Sequence, residues 1–202
     1  MKLIASLTSP FARKIRILLH EKQLPFELVV DIPWNDDTQV PTYNPLGKIP
    51  VLLTDDGECI YDSRVIAEYL EGLPGASFIP EDWRERVTVR RLEALADGIA
   101  DAAATVFLEH KRPPAQVSET WVARQRGKID QGLSALAAAL PEAGGYLSGP
   151  RLTLADMAAV STLGYLDLRF PELEWRDRYP GLKAYQTMMS CRSSVAETMP
   201  PQ

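Results

Sequence analysis

Two hydrophobic periods alternate along this chain and then one of them stops. Lys2–Leu7 is a short apolar run that ends at the turn-forming Thr8-Ser9-Pro10. Phe11, Ile15, Leu18 and Leu19 follow at helical spacing and form one apolar stripe. Pro10 suits the first helical position, where a missing N–H costs nothing, and Ser9 falls at the N-cap. Phe26–Val30 is a second apolar run, so the front of the chain reads strand, helix, strand, a unit with a parallel pair. Residues 33–47 are rich in Pro, Asn, Asp and Gly and predict a loop with room for one helical turn. Ile49–Leu53 and Glu58–Tyr61 predict two further strands around Asp55-Asp56-Gly57, a hairpin turn by composition. Asp62-Ser63 then caps a helix carrying Val65, Ile66, Tyr69 and Leu70.

Beyond residues 72–81, a Gly/Pro/Ser-rich stretch, strand signals vanish. Leu92, Leu95, Ile99, Ala102 and Val106 mark one face of a long helix, and Val122, Ile129, Leu133, Leu136 and Leu140 mark the next. Pro113-Pro114 separates them. A third helix is predicted from about Leu154 to Phe170, opened by Thr153-x-x-Asp156 in capping-box spacing, and a last one from Gly181 to Ser190. The pattern predicts two domains: an α/β domain over 1–75 and an all-α domain over 82–202.

Composition narrows the function classes. Hydrophobic residues are 46% and charged residues 24%, ordinary for a globular protein. A formal net charge of -5 argues against broad attraction to nucleic acid or anionic lipid. No apolar run approaches the roughly 20 residues of a membrane span. The start carries one early Lys and too short an apolar piece for a secretory signal, so a cytoplasmic location is expected. Cys59 and Cys191 lie far apart, with only His20 and His110 to join them, so neither a disulfide framework nor a metal site is expected.

Four motifs, in order, carry a resemblance: Ser9-Pro10-Phe11-Ala12-Arg13-Lys14; Asn44-Pro45-Leu46-Gly47-Lys48-Ile49-Pro50-Val51-Leu52; Asp62-Ser63; and Leu152-Thr153-Leu154-Ala155-Asp156. Together they span nearly the whole chain. The chain resembles the glutathione S-transferase family, and is most similar to a bacterial subgroup with Ser in the first-helix motif. The resemblance implies a thioredoxin-like N-terminal domain (βαβ-α-ββα), a C-terminal helical bundle, glutathione as co-substrate, no metal, and a homodimer.

It also implies roles. The Ile49–Pro50 bond would be cis, leaving the Ile49 backbone open to pair with an extended peptide, which glutathione is. Ser63 at a helix N-terminus would hold the γ-glutamyl carboxylate, Asp62 the ammonium and Lys48 the glycyl carboxylate. Ser9 would stabilise the thiolate, with Thr8 as a rival hydroxyl, and Phe11 would either floor the site or belong to the core. Trp34 is either a wall of the acceptor pocket or a hydrophobic plug, and Val106, Phe107 and Tyr165 would line that pocket. Thr153 and Asp156 would serve folding. Asp97 and Asp101, four apart, read first as a solvated face; the resemblance adds that an acid here can reach the partner subunit's glutathione.

The leading function is activation of glutathione as a nucleophile for a small apolar electrophile. A binding or interaction scaffold with the same fold is the second reading, and a glutathione-dependent isomerase or reductase the third. Ser rather than Cys at position 9 disfavours the reductase, since Ser cannot form a mixed disulfide.

Overall fold

The computed structural model describes residues 1–201. The first part of the chain is β1 (Lys2–Ala5), α1 (Pro10–Glu21), β2 (Glu27–Val30), α2 (Val40–Tyr43), β3 (Val51–Leu53), β4 (Cys59–Ile60) and α3 (Ser63–Glu71). The strands form one sheet in the order β2-β1-β3-β4, with β1 and β2 parallel and the other neighbours antiparallel. This is the βαβ-α-ββα order that the resemblance implies.

Each strand is shorter than its apolar run, for local reasons. β1 stops at Ala5 because the next residues turn on their own side chains: the Ser6 hydroxyl lies 3.1 Å from that of Thr8 and accepts from its N–H at 3.4 Å. β3 starts only at Val51 because Pro50 has no N–H to give a ladder. The β3–β4 turn is closed by Thr54, whose hydroxyl accepts from Glu58 N–H at 2.9 Å, with Gly57 at φ 90°.

The remainder is helical: α4 (Trp83–Glu109), α5 (Glu119–Ala138), α6 (Leu154–Arg169), α7 (Trp175–Arg178), α8 (Pro180–Ser190) and α9 (Ser193–Ala196). The sequence predicts one helix after Phe170 where three occur. α7 and α9 span four residues each, too few to show a period. Every side chain from Leu154 to Leu166 is buried, so α6 is the axis of this half. α4 and α5 cross closely at Gly132, where a Cβ would overlap the Ile99 side chain. Asp156, fully buried, accepts from Thr153 N–H at 2.9 Å, Thr153 Oγ1 at 2.8 Å, Leu147 N–H at 2.8 Å and Tyr185 OH at 2.9 Å. Burial, with the Asp156 charge beside it, holds the Tyr185 phenol well above its ordinary pKa.

α1 joins the two halves, in a way its stripe does not suggest. Nine of its twelve residues are buried, among them Arg13, Lys14 and Arg16. Lys14 has no exposed surface; its Nζ donates to Glu93 at 2.9 Å and to Asp97 at 2.9 and 3.0 Å, both on α4. Those carboxylates are shared with Arg90 at 2.9 Å and Arg64 at 3.1 Å. Asp97 is therefore part of a buried ion network, which corrects the solvated-face reading for that residue. Asp101, one turn on, is exposed as expected.

Arg13 donates to the Val195 carbonyl at 3.1 Å and the Val160 carbonyl at 3.5 Å, where Gly164 makes room: a Cβ there would strike the guanidinium. Burial first, and the charge of Arg16 second, pull the Arg13 pKa down to about 10. Arg16 reaches the carbonyls of Glu197 and Thr198, both at 3.4 Å. The first helix is thus fastened to α4, α6 and the C-terminal turn by three buried cations.

Two stability predictions follow from these contacts. Lys14→Met leaves two buried carboxylates short of a cation and should cost about 3 kcal/mol, read as a lower urea midpoint; an unchanged midpoint would show the network to be solvated in solution. Asp156→Ala strands four donors and should cost about 3 kcal/mol or more, against about 1 kcal/mol for the single cap lost in Thr153→Ala.

Candidate functional site

Three chain segments meet at one end of the sheet, and the strand register says which. β1 and β3 pair Ile4 with Val51, so continuing the register sets Ser6 beside Ile49. β3 and β4 pair Leu52 with Ile60, which sets Pro50 across from Asp62. The N-termini of α1 and α3 therefore open at the same end as the bend before β3.

That bend is built by Asn44, which is buried. Its side-chain amide donates to the Lys48 carbonyl at 2.8 Å and its side-chain oxygen accepts from Leu46 N–H at 3.0 Å. Gly47 sits at φ 62°, a left-handed conformation that suits glycine. The Ile49–Pro50 peptide bond is cis. Among the described residues, neither the N–H nor the C=O of Ile49 bonds to another group of the chain. A buried strand residue would have both groups paired. Here they form a short open edge.

Ser9 is the N-cap of α1, and its oxygen accepts from Ala12 N–H at 3.2 Å. A hydroxyl has two acceptor lone pairs and one proton, so capping leaves the Ser9 O–H able to donate. Thr8 is engaged with Ser6. Asp62 caps α3, accepting from Arg64 N–H at 2.9 Å. Ser63, buried at the first position of α3, donates neither its N–H nor its hydroxyl to another described group.

A cavity of about 360 Å³ lies between this sheet end and the helical half. Ser9, Phe11, Lys48 and Ile49 line it from the front, with Trp34. Phe107 and Tyr165 line it from α4 and α6. Trp34 is 61% exposed, so it walls the mouth and does not plug the loop. Asp62, Ser63 and Pro50 do not line the cavity; they stand beyond it along the β3–β4 edge. Val106 is corrected outright: it is fully buried in the core, because it lies on the opposite face of α4 from Asp101, Thr105 and Leu108.

Ser6, Pro33, Asp101 and Arg169 line the cavity and were not assigned to it from sequence. Arg169 follows Tyr165 by one helical turn, so once Tyr165 faces the cavity Arg169 shares its face of α6. For Ser6 there was no signal. Burial raises the Tyr165 pKa, with Arg169 acting in the opposite direction. Among the described residues no group of His, Cys, Asp and Glu side chains is disposed to hold a metal ion, and no helix is long and apolar enough to cross a membrane.

Comparison with known proteins agrees with this geometry. The family model "Glutathione S-transferase, N-terminal domain" matches residues 8–73, and "Glutathione S-transferase, C-terminal domain" matches 119–185. The chain is 43% identical over 203 residues to the uncharacterized GST-like protein YibF of Escherichia coli, covering all of both. A crystal structure of a glutathione S-transferase from Methylobacterium radiotolerans, in complex with glutathione sulfonate, matches all of this chain and 95% of its own at 43% identity with a TM-score of 0.94. A glutathione S-transferase from Methylobacillus flagellatus, with glutathione bound, matches 99% of each chain at 40% identity with a TM-score of 0.95. With both halves matched by the family models and the whole length matched by these relatives, the chain belongs to the glutathione S-transferase family.

Proposed function

We propose that the protein binds glutathione across this sheet end and activates its thiol for attack on a small electrophile with an apolar body. The observation that carries the reading is the unpaired backbone of Ile49, held open beside the N-terminus of α1. An extended cysteinyl unit can add to that edge as a short strand does. Lys48 then meets the glycyl carboxylate. Ser63 and the N-terminus of α3 take the γ-glutamyl carboxylate, and Asp62 the ammonium.

The sulfur so placed faces the first turn of α1. A thiol of ordinary pKa near ~8.5 is lowered by two units if the site prefers the thiolate by about 2.7 kcal/mol. A hydroxyl hydrogen bond from Ser9 to an anion supplies roughly 1.5–3 kcal/mol and the helix terminus up to about 1. These suffice without a formal base. Phe11, Trp34, Phe107 and Tyr165 form the acceptor side. We take residues 1–75 and 82–202 as the two domains, a cytoplasmic location, and a homodimer as the working assembly.

A second reading is a glutathione-binding scaffold without conjugating activity. The bond from Ala12 N–H favours it, since a Ser9 that only caps α1 has no part in chemistry. An isomerase would use the same bound thiolate, whereas a reductase lacks its cysteine.

Two measurements decide. Glutathione should raise the melting temperature saturably at millimolar concentration or below; no shift would remove the reading. Ser9→Ala should lower kcat for an aryl halide by about 10-fold or more with a smaller change in glutathione affinity. Binding without turnover of a broad electrophile panel would establish the scaffold.

A further inference from the structure

Arg169 is one of the charged residues that line the cavity. It lies in the last turn of α6, and its guanidinium stacks on the Phe107 ring, 4.2 Å from the centroid. Lys111 Nζ stands 5.0 Å from the same ring, so two cations flank one aromatic wall. No carboxylate among the described residues forms an ion pair with Arg169, and its Nε is buried with no hydrogen-bond partner. Nine other arginines here are paired with acids or give two or more hydrogen bonds to the chain: Arg90, Arg176, Arg178 and Arg192 are examples. The arginines without such partners, Arg84, Arg86, Arg91, Arg124 and Arg151, are all exposed, whereas Arg169 is half-buried and lines the cavity.

Among the described residues, the one carboxylate lining the cavity is Asp101. It precedes Phe107 by six residues, about 9 Å along the α4 axis. The Phe107 end is therefore cationic and apolar together. A cation near a helix C-terminus is also favourable for the helix itself, and that role alone would need no partner. It would, however, give no preference among cavity ligands.

Resting on the glutathione reading above, we propose that the acceptor substrates of this protein carry a carboxylate on their apolar body, and that Arg169 is the residue that recognises it. The body stacks among Trp34, Phe107 and Tyr165. The carboxylate takes the planar N–H fork of Arg169, which Phe107 holds in place. In an aryl chloride of this class the sulfur lone pair forms the C–S bond at the chlorine-bearing carbon. Chloride leaves with the C–Cl pair, and the thiol proton has already passed to solvent. Arg169 acts in binding and orientation and takes no part in the bond change.

The test compares two glutathione conjugates by calorimetry, that of a chloronitrobenzoate and that of the matching chloronitrobenzamide, which differ by one charge. The native protein should bind the carboxylate conjugate about tenfold more tightly or better. The preference should shrink between ~20 and ~500 mM salt. Arg169→Gln should bring the affinity ratio to about one, and Arg169→Lys, which keeps the charge without the fork, should give an intermediate ratio. Should Arg169→Gln not fold, the Lys variant and the native salt dependence decide. Equal affinities of the native protein for the two conjugates, with glutathione itself bound, would overturn this proposal alone. A ratio unaltered in a folded Arg169→Gln would do the same. Failure to bind glutathione at all would remove the reading beneath it as well.

Discussion

Three cations buried on one helix fix the position of everything else. Arg13, Lys14 and Arg16 project from α1 into the protein interior, where a charge is tolerated only with partners in place. The partners all come from the helical half: two carboxylates on α4, a carbonyl on α6, and carbonyls of the C-terminal turn. The N-terminus of α1, which presents Ser9, is thereby held against the surface that carries Phe107 and Tyr165. A helix docked by apolar packing alone could slide by a turn at small cost. One docked by Lys14 between Glu93 and Asp97 cannot move without stranding ionised groups.

The same network reaches the other half of the site. Asp97 also accepts from Arg64, whose N–H is capped by Asp62. The N-termini of α1 and α3 are thus referred to one acid on α4. Between them lies the bend before β3, shaped by Asn44 and Gly47 to leave the Ile49 backbone unpaired. The sheet supplies an open edge, and the helices around it set what stands at each end of that edge.

The cavity combines two unlike surfaces. Its front offers backbone, hydroxyls and Lys48, as suits a small peptide, beside the rings of Phe11 and Trp34. Its rear carries the rings of Phe107 and Tyr165, with Asp101 and Arg169 as charged members. A pocket that is apolar except for a few convergent polar groups is the usual form of a small-molecule site, and here the polar groups divide by element: β1, α1 and the Asn44 loop on one side, the ends of α4 and α6 on the other.

Much of this was fixed by the sequence itself, for local reasons. Proline and glycine placement, capping residues and the switch from period two to period 3.6 set the element order and the break after α3. Ser9 as N-cap, the Asn44–Pro50 loop and the Thr153–Asp156 box are determined by neighbours a few residues away. What tertiary structure alone decided are the facts that depend on distant partners. Nothing near Arg13, Lys14 and Arg16 in the chain marks them as buried, because their partners lie some 80 to 180 residues on. Asp97 became buried for the same reason. Val106 and Phe107 are adjacent in sequence, and only the packing of α4 against α6 sends one into the core and the other into the cavity. A periodic pattern marks an apolar face, but which side of that face meets a neighbouring helix and which meets a cleft is set by the neighbour.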